Sequence, residues 1–322
     1  MTPTLRIFLL SLLAAGATGA AASRPETGRS ADTLAVQTAS GWKTWWRRDA
    51  SPSRWDGSAS LAHHVHWKAR VPGVQWGELR LRGAGPSRRT RVVLARLDPR
   101  QLRLALVPAF TRDQRWTIDS IEADVAVALD AGQFRHSMPY GWVVSEGHEL
   151  LKPEYAPLAG AVVVTHDGAV RIVAPDSIGL ERSRKAALEA FQSYPMLLEN
   201  GVVPPPLHRA SQGVSLEHRD IRLALCTLED GRVLIALTRF DALGGSFDRI
   251  PLGLTTPEMA AVMGALGCRN ALSLDGGISG QLLLRDAGGA VRSWPGLRSV
   301  PLGLIGRATL IRAAREILDY IE

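Results

Sequence analysis

The sequence predicts an α+β domain dominated by antiparallel sheet, and three observations carry that prediction. Short runs rich in valine, leucine and isoleucine follow one another from about residue 66 onward. Two of them fold back on themselves around Asp-Gly pairs, Asp167-Gly168 and Asp230-Gly231. A D-G pair flanked by apolar runs is the strongest short-range hairpin signal. Helical periodicity is confined to three segments, so helices are expected to pack on the sheet rather than alternate with its strands.

Taken in order, the chain opens with Arg6, an uncharged apolar run and the small residues Ala20-Ala21-Ala22. This has the form of a signal peptide over residues 1–22, and the apolar run is shorter than the ~20 residues a bilayer span needs. Export to the periplasm or beyond is the expectation, with no transmembrane segment after cleavage. Residues 23–40 read as a polar linker, and residues 23–65 as linker plus a tryptophan-rich extension. Six of the nine tryptophans (Trp42, Trp45, Trp46, Trp55, Trp67 and Trp76) lie before residue 80. They either stack on sugar rings or pack the extension down as a lid. The three histidines of this region, His63, His64 and His66, read as surface residues.

ELRLRG, TRVVLARL and QLRLALVPA are the next strands, and ADVAVALD is a fully apolar strand halting on Asp130. The first helix is expected over residues 180–192, LERSRKAALEAFQ. The second is TTPEMAAVMGALG, with Thr255-x-x-Glu258 as a capping box, Pro257 in the first turn and Gly267 as the stop. The third is a C-terminal amphipathic helix over residues 307–322, with Leu310, Ile311, Ala314, Ile317, Leu318 and Ile321 on one face. Cys226 and Cys268 are the two cysteines. An oxidising compartment permits their pairing, and two buried thiols are the alternative. The net charge is +7, but the arginines are scattered and no nucleic-acid motif accompanies them, so a generally basic surface is the reading and nucleic acid is not expected as a partner.

Four segments end apolar runs on polar residues and glycine, the places where sites are built. They are Asp130-Ala131-Gly132-Gln133-Phe134, then Gln192-Ser193-Tyr194-Pro195-Met196-Leu197-Leu198-Glu199-Asn200-Gly201, then the Arg222-led hairpin, then Asn270-Ala271-Leu272-Ser273-Leu274-Asp275-Gly276-Gly277-Ile278-Ser279. Pro139-Tyr140-Gly141 stands between the first two. In this order they resemble the phosphodiester glycosidase family over roughly residues 66–306, expected as a single domain. The chain departs from the family pattern at Asp130, where Asn-Gly-Gly is usual, and at Cys226, where Gly is common.

The resemblance implies an exported hydrolase that cleaves the sugar–phosphate bond of a sugar-1-phosphodiester in envelope or extracellular glycans. Asp275 is expected as nucleophile or base, Asp130 as the second carboxylate and Arg222 as a phosphate clamp, with Glu199 and Glu146 in reserve. Gly276, Gly277, Ser279, Gln192, Gly132 and Phe134 are expected to contact substrate. A phosphate leaving group needs less acid help than an alcohol and more charge neutralisation, which is why an arginine matters here. No organic cofactor is expected, and any metal would be a single divalent ion on carboxylates. A non-catalytic glycan-binding protein on the same fold is the other class these residues allow.

Overall fold

The computed structural model describes residues 33–83, 89–208, 214–241 and 248–309. The expected signal peptide and all but the first residues of the expected C-terminal helix lie outside them. Among the described residues every strand pair is antiparallel. The pairs assemble into one nine-stranded sheet, two five-stranded sheets and a small ribbon.

The central strands of the large sheet are buried on both faces, which explains why they read as unbroken apolar runs rather than alternating ones. In the strand Thr90–Leu97, Val93, Ala95 and Leu97 face the core shared with the five-stranded sheets, while Val92 and Leu94 face the opposite core. The strands Leu223–Thr227 and Val233–Phe240 divide the same way, with Leu223, Leu225, Ile235 and Leu237 on one side and Ala224, Cys226, Leu234 and Ala236 on the other. One five-stranded sheet contains Val125–Asp130, and the other contains Ala187–Ser193.

Helix makes up a smaller share of the described residues than expected, so helices packed on sheet overstates it. Two α-helices occur among the described residues, Ile178–Arg184 and Thr256–Ala265. The second forms as read: Thr255 Oγ accepts from the Glu258 N–H, and the Glu258 carboxylate accepts from the Thr255 N–H. All ten of its residues are buried.

The large sheet covers part of this helix and the tryptophan-rich extension another part. The Trp55 ring lies against Gly264, where a Cβ would run into it. Trp46 is buried, and Trp45 and Trp55 pack on the same core. The supposed linker also does more than connect. Thr33–Thr38 is a strand that pairs with Gly41–Arg47 and with Val74–Arg82, burying Leu34 and Val36. Leu34, Val36 and the strand's Thr residues are ordinary strand formers that polar neighbours had masked.

The first helix is the clearest correction. It ends at Arg184, Lys185 takes the left-handed conformation at φ 50°, and Ala187–Ser193 is a central strand. This strand pairs Gln192, Phe191 and Ala190 with Ala161, Val162 and Val163 on one side, and Phe191 with Val143 on the other. Ala, Leu, Glu, Phe and Gln favour helix only weakly, and two waiting strand edges outweigh that preference. Cys226 and Cys268 are joined by a disulfide, Cα to Cα 5.7 Å, tying the second hairpin to the segment after the helix.

Candidate functional site

The Val125–Asp130 strand and the Asn270–Ser273 strand deliver their trailing loops to one place. The Asp275 N–H donates to the Gly132 carbonyl at 3.2 Å, so the two predicted loops touch. Gly132 adopts φ +68°, and a Cβ there would stand 2.8 Å from the Gln192 carbonyl. Gly276 and Gly277 were expected to admit a ligand to the backbone. They instead admit the protein's own chain. A Cβ on Gly276 would collide with the Ile221 carbonyl, and the Gly277 N–H donates to that carbonyl at 2.8 Å. The Asp-Gly-Gly turn is thereby pinned to the segment that carries Asp220 and Arg222.

That segment is fixed in turn by the capped helix. Arg219 donates to both Glu258 oxygens at 2.5 and 2.9 Å, and Arg222 Nε donates to the Leu254 carbonyl at 2.9 Å. Together these loops wall a cleft of about 520 Å³ lined by Phe134, His218, Asp220, Arg222, Asp275, Gly276, Gly277, Ser279 and Arg298, among others.

Asp275 is partly buried on this cleft. Burial raises its carboxyl to about 6, with a hydrogen bond from Ser279 and the charge of Arg298 opposing that rise and Asp220 adding to it. Of the predicted residues, the cleft therefore unites Asp275, Gly276, Gly277, Ser279, Phe134 and Arg222, and Gly132 stands directly behind Asp275.

Four predicted residues lie elsewhere. Asp130 is completely buried beneath the cleft. One oxygen accepts from the Gln281 N–H at 2.9 Å and the other has no partner. Burial and then the Asp275 charge hold its carboxyl well above the usual range, which favours its protonated form. Gln192 is also buried, and backbone groups engage its amide: Oε1 accepts from the Trp142 and Glu154 N–H groups at 2.9 and 3.0 Å, and Nε2 donates to the Glu154 carbonyl at 2.6 Å. It is a strut, not a reader of sugar hydroxyls. Glu199 is exposed in the turn beyond the Met196–Leu198 strand, where it bridges Val202, and Glu146 is exposed beside Glu189. Neither lines the cleft.

Arg222 lines the cleft with part of its fork already engaged, since one Nη also donates to the His218 carbonyl at 2.5 Å. Arg298 was missed. It is exposed at the cleft, 4.7 Å over the Phe134 ring, and close enough to Asp275 to affect it. Asp220 was missed too: it is the second carboxylate on the cleft, bonded to the Ile221 N–H and 3.4 Å from His218 Nε2. Only the short Pro295-Gly296 turn marks Arg298 in the sequence, and nothing periodic marks Asp220.

The sequence profile of the phosphodiester glycosidase family matches residues 122–305, more than half of the chain, and that span includes every loop of the cleft. The chain belongs to the phosphodiester glycosidase family. Its fold is similar to the catalytic domain of zebrafish N-acetylglucosamine-1-phosphodiester alpha-N-acetylglucosaminidase, auto-inhibited by its pro-peptide: TM-score 0.56 and 14% identity over 79% of this chain and 94% of that one. It is similar as well to a hypothetical protein from Synechocystis, with TM-score 0.52 and 16% identity over 85% and 67% of the two chains. No curated protein matches the chain by sequence. The family's named activity, phosphodiester glycosidase, is a hydrolytic one. Among its described residues no helix is long and apolar enough to cross a membrane.

Proposed function

We propose that the protein is an exported glycosidase that hydrolyses the bond between an anomeric carbon and a phosphodiester oxygen in envelope or extracellular glycans. The observation that carries this reading is Asp275: a carboxyl poised to titrate near neutrality, on a cleft that also presents the cations Arg298 and Arg222. A group with a pKa near the working pH is suited to act as base or nucleophile.

In this reading Asp275, ionised, attacks the anomeric carbon or activates the water that does. Ser279 orients it. Asp220 is the second carboxylate able to face a developing oxocarbenium ion, replacing Asp130 in that role. Arg298, with the remaining donors of Arg222, neutralises the departing phosphate. Asp130 acts from below: being neutral, it takes the shape and charge of the amide usual at that position and spares Asp275 a second buried charge.

The test is sugar release from UDP-N-acetylglucosamine and simple N-acetylglucosamine-1-phosphodiesters by the mature protein and its Asp275→Asn variant. We expect release by the wild type and a loss of at least about 10³-fold in the variant, which stays folded. Equal turnover by both would remove Asp275 from the chemistry. Binding of glycan without turnover would favour the glycan-binding class.

A further inference from the structure

A second cavity of about 360 Å³ adjoins the cleft and shares Gln133 and Phe134 with it. Its walls are Phe134, Tyr140 and Tyr194, with Pro157, Leu158 and Pro206 closing the rest. We propose that this cavity is the subsite for the group on the far side of the phosphate, and that it takes a planar unsaturated ring, of the aryl or nucleobase class. The inference rests on the glycosidase reading of the neighbouring cleft.

Continuity and charge place the ligand. Phe134 stands between the two cavities, with Arg298 4.7 Å and Arg115 6.0 Å from its ring centre. Arg135 follows in the chain, 5.1 Å over the Tyr140 ring. A phosphate at this junction meets guanidinium groups, and the group beyond it enters the aromatic cavity. The sugar stays with Asp275.

The lining selects the ring. Three aromatic side chains and two prolines line the cavity, and aromatic side chains are stacking platforms for unsaturated rings. The lining's polar side chains are Gln133, Arg135 and the two tyrosines. The Gln133 amide donates to the Tyr194 carbonyl at 2.8 Å, and Arg135 faces Glu154 at 3.7 Å. A hydroxylated pyranose carries more hydroxyls than these groups can all partner, so it gains less from this lining than from water. An unsaturated ring asks for few.

The experiment compares kcat/KM for N-acetylglucosamine-1-phosphodiesters bearing phenyl, uridyl, methyl and hexosyl groups, in the wild type and in Tyr194→Leu. Tyr140→Leu and Tyr140→Phe provide a second pair, each checked for folding by circular dichroism. We expect the wild type to prefer phenyl or uridyl over methyl by roughly tenfold. Tyr194→Leu and Tyr140→Leu should shrink that ratio, and Tyr140→Phe should restore it. Equal use of phenyl and methyl, a preference for hexosyl, or a ratio unmoved by Tyr194→Leu would overturn the subsite and leave the glycosidase reading standing. Turnover of none would sink the glycosidase reading instead. Calorimetry with phenyl phosphate then decides the subsite: binding lost in Tyr194→Leu supports it, and no binding overturns it.

Discussion

The Asp275 carboxyl titrates near 6 because it is desolvated more than it is compensated. Two consequences follow for one residue. As base or nucleophile it must be ionised, so kcat/KM is expected to fall about tenfold per pH unit below about 6, read from a pH profile on a sugar-1-phosphodiester. The same shift destabilises the fold at higher pH. The folded pKa lies above the ordinary aspartate value, so the folded state binds more protons between about 4 and 6, and stability declines as pH rises through that window. Asp275→Asn removes the charged form. Its thermal midpoint should exceed the wild type's at pH 8, by up to ~3 kcal/mol in stability, and the gap should close near pH 4. A midpoint difference independent of pH would mean that Asp275 is not desolvated as described.

Among the elements, the strand Ala187–Ser193 is the one on which most depends. It runs through the middle of its sheet, and its last residues tie two loops together. Buried Gln192 satisfies three backbone groups, one on buried Trp142 and two on exposed Glu154, and Ser193 donates to the Ser273 carbonyl at 2.6 Å, two residues before Asp275. Replacing Gln192 by Leu keeps the volume and orphans those groups, so a loss of at least ~3 kcal/mol is expected from urea denaturation. A substrate-reading glutamine would behave differently: KM would rise with the urea midpoint unmoved. Arg239 acts similarly nearby. It is fully buried, and one Nη donates to the Gly280 and Trp294 carbonyls at 2.8 Å, holding the loop of Ser279 to the strand that leads to Arg298.

Across the whole molecule, the tryptophan-rich extension belongs to the fold. It adds two strands to the large sheet, covers the buried helix with Trp55 and contributes Leu34, Val36, Trp46 and Leu61 to the core. Full burial of such side chains contributes about 1.5–3 kcal/mol each. A chain beginning at residue 66, the boundary read from the sequence, should therefore lose several kcal/mol and aggregate through the exposed edge of Val74–Arg82. Thermal unfolding and soluble yield measure this. An unchanged midpoint would restore residues 66–306 as a self-sufficient domain and make the extension a lid.

The legible features were those whose physics is local. Unbroken apolar runs marked strands because burial on both faces leaves no position for a polar residue. Thr255 and Glu258 marked a helix start because the capping box satisfies its own backbone, and the D-G pairs marked the hairpins because the turns need their backbone freedom. The loops of Asp275 and Gly132 were marked by halted apolar runs, and they do meet. What stayed illegible depends on partners distant in sequence. Whether ALEAFQS becomes helix or strand depends on two sheet edges, at Val143 and Ala161–Val163, ready to receive it. Asp130 and Asp275 look alike as strand-ending aspartates. One lies under the cleft and the other on it, because strand register and packing against Gln281 and Ile221 set which way each carboxyl faces. Arg298 and Asp220 reach the cleft through loops with no periodicity to read, and folding alone brings their charges beside Asp275.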